Sequence, residues 1–243
     1  MENRQLTPFS YFDLLDACNL PGCPVCRLAS EIVQNYLDAN LYENVNDPDT
    51  QAALRRSKGY CHAHSWLLTK TSASPALGVA ILYRQAAQEV LEALGPPRSG
   101  DIPQADSASS GGRARRKSSG VFDNILGRLK PQAHCPACAH RDKMIEFILK
   151  TMLEALDRGD DRLRSGLAAS DGLCLPHLRR VLELSQSQPA SDFLRRQAGE
   201  KLAALIGELN EFIRKNDYRF TGEGMGKEGD SWRRILAWMA GEQ

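Results

Sequence analysis

Hydrophobic residues recur every three or four positions along most of this chain, which is the spacing of one face of an α-helix. The stretch that begins at Pro24 is the clearest case. Its apolar residues are Leu28, Ile32, Val33, Tyr36, Leu37 and Leu41. A similar run follows Cys138, with Met144, Ile145, Ile148, Leu149 and Leu153. No stretch alternates apolar and polar residues convincingly, as a half-buried strand would. The pattern predicts an all-α fold.

Turn and capping signals divide these runs into separate helices. A short amphipathic helix is predicted over residues 9–18, and Asp47-Pro48 predicts the cap and first turn of a helix that ends before Gly59. Another helix is expected over about residues 75–94, with an apolar face formed by Leu77, Ile81, Val90, Leu91 and Leu94. Further helices are predicted from Cys61, from about Leu194 to Phe212, and around Trp232.

The second half of the chain repeats the first. Arg84-Gln85-Ala86 and Arg196-Gln197-Ala198 are identical tripeptides 112 residues apart, and the same offset separates Cys23 from Cys135. Residues 95–119 are rich in Gly, Ser, Pro and basic residues and predict a flexible linker. We therefore expect two homologous helical halves, residues 1–94 and 120–243, joined by this linker.

Six of the seven cysteines and two of the five histidines belong to the repeat. Each half contains one C-x2-C motif at a predicted helix start and one C-x2-H motif about 35 residues later. The eight residues are Cys23, Cys26, Cys61, His64, Cys135, Cys138, Cys174 and His177. A helix N-terminus favours the thiolate form of cysteine, which is the form that binds metal.

One C-x2-C combined with one C-x2-H gives a Cys3His set, a common closed tetrahedral zinc site. Two Zn²⁺ ions are therefore expected, with iron–sulfur clusters as the alternative for sulfur-rich ligand sets. The equal spacing in the two halves favours pairing within each half. Pairing across the halves is compatible with the same sequence.

Alternative roles exist for some of the cysteines and histidines. A C-x2-C pair can also be a redox disulfide, but thioredoxin-like pairs follow a strand in a βαβ unit, which this sequence lacks. Cys18 is expected to be a buried thiol, with a spare-ligand or regulatory role left open. His62 could compete with His64, although Leu175 stands at its position in the second half. His134 and His140 are expected to cap helices or face solvent.

Composition adds few constraints. Hydrophobic residues make up 42% of the chain and charged residues 25%, with a formal net charge of +1, so nucleic acid is not an expected partner. The basic cluster at residues 113–117 lacks interleaved aromatic residues and reads as solvated linker. No apolar run is long enough to span a bilayer, and no secretory signal is recognisable. A reducing cytoplasm is therefore expected, where seven cysteines favour metal binding over disulfides.

The motif combination is similar to a family of uncharacterised bacterial proteins, a domain of unknown function with paired CPxC and G-F/Y-C-x-x-H motifs. The similarity rests on CPVCRL, KGYCHAH, LGVAILY, CPAC, GLCLPH and the closing NDYRF and DSWRR segments. It covers nearly the whole chain except the linker. His62 and Ala63 replace the Pro-Arg-like pair expected between Cys61 and His64. The resemblance implies a bacterial cytosolic protein and supplies no activity.

The sequence therefore favours a non-catalytic zinc protein with a structural or partner-binding role; in the second case the partner would be a protein that the sequence does not identify. An iron–sulfur or thiol-based redox sensor is the alternative. A metal-dependent hydrolase is disfavoured because both expected sites have four protein ligands, whereas catalytic zinc keeps an open position.

Overall fold

The computed structural model describes residues 9–70, 75–95, 117–220 and 222–242, with side chains from residue 123 onward in the third range. These residues form α-helices and two short 3₁₀ turns, with no strand among them, which confirms the all-α prediction. The helices are α1 (Tyr11–Cys18), α2 (Pro24–Tyr42), α3 (Pro48–Ser57), α4 (His62–Leu67), α5 (Ala76–Leu94), α6 (Lys117–Leu129), α7 (Pro136–Asp157), α8 (Asp161–Ala169), α9 (Leu175–Leu184), α10 (Gln188–Lys215) and α11 (Ser231–Ala240).

The chain divides into two compact units that do not follow the predicted halves. The first unit consists of residues 1–32 and 141–243, and the second unit of residues 33–140. The first unit therefore combines both ends of the sequence, whereas the second is one continuous segment. Most of the predicted linker, residues 96–116, lies outside the described part, and its last residues from Lys117 begin α6. The sequence did not predict α6, whose segment contains two glycines and two serines.

The core of the first unit joins α1 and the start of α2 to residues that follow more than 100 positions later. Leu14 and Val25 are fully buried in the same apolar cluster as Ile148, Leu163 and Val181. In this unit α1 packs on α8, and α11 packs on α9 and α10. Burial of these side chains favours the association of distant segments.

The core of the second unit joins the rest of α2 to α3, α4 and α5. Leu37, Leu54, Leu68 and Leu82 are buried together there, and α5 packs on both α3 and α6. The predicted apolar face of α5 is wrong at three positions: Leu77, Leu91 and Leu94 are mostly exposed, and the buried residues are Gly78, Leu82, Ala86 and Ala93.

Close packing explains why α5 buries small residues. A side chain at Gly78 would meet the backbone carbonyl oxygen of Leu41, which lies only 2.6 Å from the position of a Cβ atom. No side chain therefore fits at position 78, although Leu82 is buried one turn later on the same face of α5.

We predict that Gly78→Ala lowers the free energy of unfolding by about 1–3 kcal/mol, because the added methyl group forces α5 away from α2. The matched control is Gly199→Ala in α10, where a Cβ meets nothing within 4 Å. Gly199→Ala should stabilise the protein by about 0.5–1 kcal/mol, because alanine has less backbone freedom than glycine in the unfolded chain. Thermal unfolding followed by circular dichroism measures both, and an unchanged melting temperature for Gly78→Ala would contradict the packing argument.

Candidate metal centres

The structure brings the eight predicted site residues together in two groups of four. Centre 1 consists of Cys23, Cys26, Cys174 and His177, and centre 2 of Cys61, His64, Cys135 and Cys138. Within each group the candidate ligand atoms all lie within 4.8 Å of one another. Each centre lies entirely within one compact unit.

The expected pairing within each sequence half is wrong. Centre 1 combines the C-x2-C of the first half with the C-x2-H of the second, and centre 2 combines the remaining two motifs. The reason is the arrangement of the cores, because the start of α2 packs with residues beyond position 141. The two copies of each motif are equivalent in spacing, so the sequence contains no local signal that distinguishes the two pairings.

All eight residues lie at the beginning of a helix. Cys61 and Cys174 are the N-cap residues of α4 and α9, and both have extended backbone angles, with ψ of 168° and 159°. Cys23 and Cys135 directly precede the first residues of α2 and α7, which are prolines. Proline suits this position because its missing N–H would have no helical partner. Four helix N-termini therefore face the two centres with positive ends of their dipoles.

The turns that lead into α4 and α9 have the same construction. Asp47 and Asp160 cap the preceding helices α3 and α8 by accepting backbone N–H groups. Gly59 and Gly172 then take positive φ angles of 98° and 81° two residues before the cysteine. The buried Ser57 and Ser170 hydroxyls donate to backbone carbonyls beside these turns.

In centre 1 the ring nitrogen of the histidine lies between three sulfur atoms. His177 Nδ1 is 3.1 Å from Cys174 Sγ, 3.4 Å from Cys26 Sγ and 3.6 Å from Cys23 Sγ. The sulfur atoms of Cys26 and Cys174 are 3.6 Å apart. All three cysteines are buried, and His177 is half-buried.

Centre 2 has almost the same distances. His64 Nδ1 is 3.3 Å from Cys61 Sγ, 3.4 Å from Cys138 Sγ and 3.5 Å from Cys135 Sγ. The sulfur atoms of Cys61 and Cys138 are 3.7 Å apart. Here only His64 is buried, and the three cysteines are half-buried.

These distances fit one tetrahedral ion in each centre. Zn–S bonds near ~2.3 Å and Zn–N bonds near ~2.0 Å place ligand atoms about 3.8 Å apart for two sulfurs and about 3.5 Å apart for sulfur and nitrogen. The observed separations are 3.6–3.7 Å and 3.1–3.6 Å. A disulfide would require about 2.05 Å between sulfurs, and all seven cysteines are free thiols.

Without an ion, the thiols of centre 1 share protons unequally. Hydrogen bonds from Cys174 and Cys26 hold the pKa of Cys23 far below its usual range. The pKa of Cys174 is raised because its proton is held in hydrogen bonds to Cys23 and Cys26. Centre 1 therefore contains a ready thiolate next to thiols whose protons a metal would displace.

Centre 2 shows a similar division. Burial, and then hydrogen bonding with Cys61, raise the pKa of Cys138 to about 12. Burial acts to raise the pKa of Cys61 as well, but hydrogen bonds to its sulfur lower the pKa overall. They come from the backbone N–H of His64, then from the thiols of Cys138 and Cys135, and then from the backbone N–H of Ala63. The helix N-terminus therefore stabilises one thiolate, as expected from its dipole.

The remaining cysteine and histidines lie outside both groups. Cys18 is buried against Gly166, as predicted, and burial raises its pKa to about 11. His62 and His134 are exposed. His140 is half-buried and stacks on the ring of Tyr36, with 4.5 Å between ring centroids, so its predicted capping or solvent-facing role is wrong.

The residues that surround centre 1 were not predicted from the sequence. The backbone N–H of Glu242 donates to Cys26 Sγ at 3.4 Å, and Asp171 Oδ2 accepts the N–H of Gly22 at 2.6 Å. Burial, with Cys23 nearby, raises the pKa of the Glu242 carboxyl. These residues follow no motif, so no sequence signal could have placed them next to the cysteines.

The fold and the two Cys/His groups define an all-α protein with two candidate metal centres. The chain belongs to the family described as "Family of unknown function (DUF6062)", whose profile matches residues 12–243. This confirms the predicted resemblance to an uncharacterised family. The chain is also similar to the "Uncharacterized 23.9 kDa protein in xynA 3'region" of Caldicellulosiruptor sp. (strain Rt8B.4), with 24% identity over 226 residues, 91% of this chain and 96% of that protein. No solved structure matches the chain.

Among the described residues, no helix has both the length and the apolar character that a membrane crossing requires.

The pairing of motifs across the two halves predicts which cysteines bind the same metal ion. Cys23→Ala combined with Cys174→Ala removes two ligands of one centre and should leave about one bound ion per chain. Cys23→Ala combined with Cys61→Ala removes a ligand from each centre and should leave fewer bound ions per chain than the first double variant. The two double variants are matched in the number and type of substitutions, and metal analysis of the purified proteins distinguishes them. The opposite order of metal content would contradict the observed pairing.

Proposed function

We propose that this chain is a non-catalytic zinc protein, in which two Cys3His-bound ions hold helices together and the surface binds a protein partner. The observation that carries the proposal is the presence of two complete four-donor sets at tetrahedral spacing. Three thiolates and one imidazole form a donor set that is common in structural zinc sites.

The closed donor sets support a structural role over a catalytic one. Catalytic zinc has three protein ligands and an open position for water or substrate, whereas each centre here offers four side chains within 4.8 Å. Three thiolates, a neutral histidine and Zn²⁺ would carry a net charge of about −1. The helix N-termini that surround each centre offset that charge.

The position of the donors along the chain supports the same role. One ion in centre 1 would join Cys26 to Cys174, 148 residues later, and one in centre 2 would join Cys61 to Cys138, 77 residues later. Structural zinc contributes about 10–16 kcal/mol of apparent binding free energy. The net stability of a whole domain is only about 5–15 kcal/mol, so each unit should depend on its ion.

Exposed apolar side chains support a protein partner. Trp232, Leu236 and Met239 follow each other at helical spacing along α11, and each is more than 40% exposed. Trp66 on α4, two residues after His64, is also mostly exposed. The proposed compartment is a reducing cytoplasm, where the thiolates would stay available for metal.

An iron–sulfur or thiol-based redox protein is the second candidate, favoured by the sulfur-rich donor sets. In a cluster, however, the four ligands are distributed over two or more iron atoms, so ligands on different irons must lie farther apart than donors that share one ion. The short separations therefore favour a single ion in each centre. A single iron bound by the same donors or a disulfide formed from a C-x2-C pair belongs to this second candidate.

Metal content and a visible spectrum of protein purified without air distinguish the two candidates. We expect a colourless protein with about two zinc ions per chain. Removal of the ions with a strong chelator should lower helicity and the melting temperature, because distant segments lose their link. Brown protein with visible absorption would favour the redox candidate, and unchanged melting after metal removal would contradict the structural role.

Zinc affinity should fall as the pH falls. The pKa of Cys138 is raised to about 12 in the metal-free protein, so its thiol is protonated at neutral pH and zinc must displace that proton. For each proton that zinc displaces, the affinity should fall by up to about tenfold for every unit by which the pH is lowered. Competition titrations with a zinc indicator between pH 6 and 8 measure this slope. A pH-independent affinity would show that the thiols are not the ligands.

A further inference from the structure

The segment that follows α11 covers centre 1. The backbone N–H of Glu242 donates to Cys26 Sγ at 3.4 Å. A Cβ atom on Gly241 would lie 3.5 Å from Cys26 Sγ and 3.7 Å from Cys174 Sγ. Gly241 therefore lies directly against sulfur atoms contributed by both motifs of the centre.

The side chain of Glu242 extends this cover to the beginning of α2. Its carboxylate occupies the space that a side chain on Gly22 would need, next to Cys23. Glu242 and Trp238 also line a cavity of about 370 Å³ whose wall includes Cys23 and Cys174. Glu242 therefore forms part of the wall of the same cavity as two of the candidate ligands.

The position of the segment depends on glycine. Gly241 has φ of 83° and ψ of 161°, a region of backbone conformation that is essentially restricted to glycine. Its N–H donates to the carbonyl oxygen of Ala237, which connects the turn to α11. Helix α11 in turn packs on α9, whose first residues follow Cys174.

The cysteines of the two centres differ in solvent exposure, in agreement with the presence of this segment over centre 1. Cys23, Cys26 and Cys174 are 5%, 8% and 1% exposed, whereas all three cysteines of centre 2 are only half-buried; for the histidines the order is reversed, since His64 is buried and His177 half-buried. An external ligand can attack the metal only where it can approach it. Centre 2 therefore offers the easier route for exchange.

We propose that the Gly241–Glu242 segment controls metal exchange at centre 1, so that centre 1 retains its ion while centre 2 exchanges with the surroundings. This inference rests on the proposed function, since it requires an ion in each centre. Hydrogen bonds to ligand atoms tune metal sites, and their loss commonly weakens metal affinity by about 10- to 100-fold.

The test compares release of zinc to an excess of a coloured chelator for the metal-loaded full chain and three variants. Gly241→Ala makes the observed backbone conformation unfavourable. Glu242→Ala keeps the backbone N–H but removes the carboxylate. Gly224→Ala is the matched control, because it adds the same methyl group in the preceding loop, where a Cβ meets nothing within 4 Å.

We expect two phases of equal amplitude for the unaltered chain, a fast one from centre 2 and a slow one from centre 1. Gly241→Ala should accelerate the slow phase about 10- to 100-fold and leave the fast phase unchanged. Glu242→Ala should act in the same direction with a smaller effect, and Gly224→Ala should change neither phase. A slow phase that Gly241→Ala does not accelerate would overturn the proposal.

Cadmium substitution provides a readout that general destabilisation would not reproduce. Two ¹¹³Cd resonances are expected, and Gly241→Ala should shift only one of them, because only centre 1 loses an N–H···S hydrogen bond. Shifts of both or of neither would overturn the proposal. A chain that binds no metal would instead contradict the proposed function, whereas two bound ions with equal release rates would contradict this inference alone.

Discussion

Four side chains that bind one metal ion must place their ligand atoms within a few ångströms of one another, and each unit of this protein meets that requirement once. In centre 1 the constraint connects Cys26 near the beginning of the sequence with Cys174. The cost in chain entropy of joining such distant segments grows only slowly with their separation. A tetrahedral ion and the surrounding apolar core can therefore hold the same segments together. The buried Val25, for example, lies between the two cysteines of the first C-x2-C motif.

Helix N-termini are the common device by which the chain presents its donors. A cysteine at or next to the N-cap is rigid in position and close to the unpaired backbone N–H groups of the first turn. For Cys61 these groups lower the pKa of the thiol against the effect of burial. Two such helix starts, brought together from different parts of the sequence, supply three sulfurs and one nitrogen without any dedicated loop. The same local construction, with Asp47 and Asp160 as caps, precedes both C-x2-H motifs.

The surroundings make the two centres chemically different although their donor sets are the same. Centre 1 lies beneath the Gly241–Glu242 segment, which approaches its sulfurs closely, and its cysteines are buried. The cysteines of centre 2 are only half-buried, and they lie in the same unit as the exposed Trp66. Under our proposal a repeated motif gives one site that retains its ion and one that exchanges it, since exchange depends on access as well as on the ligands.

The sequence by itself determined the helical class, the eight candidate ligands and their chemistry, because period, capping residues and ligand spacing are local properties. Leu54 and Leu167, seven residues before Cys61 and Cys174, are both buried. The tertiary structure alone decided which motif meets which, since the two copies of each motif are locally equivalent and the apolar cores select between them. It also decided that Gly78 lies on the buried face of α5, where the close approach of Leu41 leaves no room for a side chain. On the same helix Leu82 is buried and Leu77 is exposed. The contact of Glu242 with Cys26 likewise depends on packing between residues 216 positions apart, and such contacts leave no periodic or spaced signal in a single sequence.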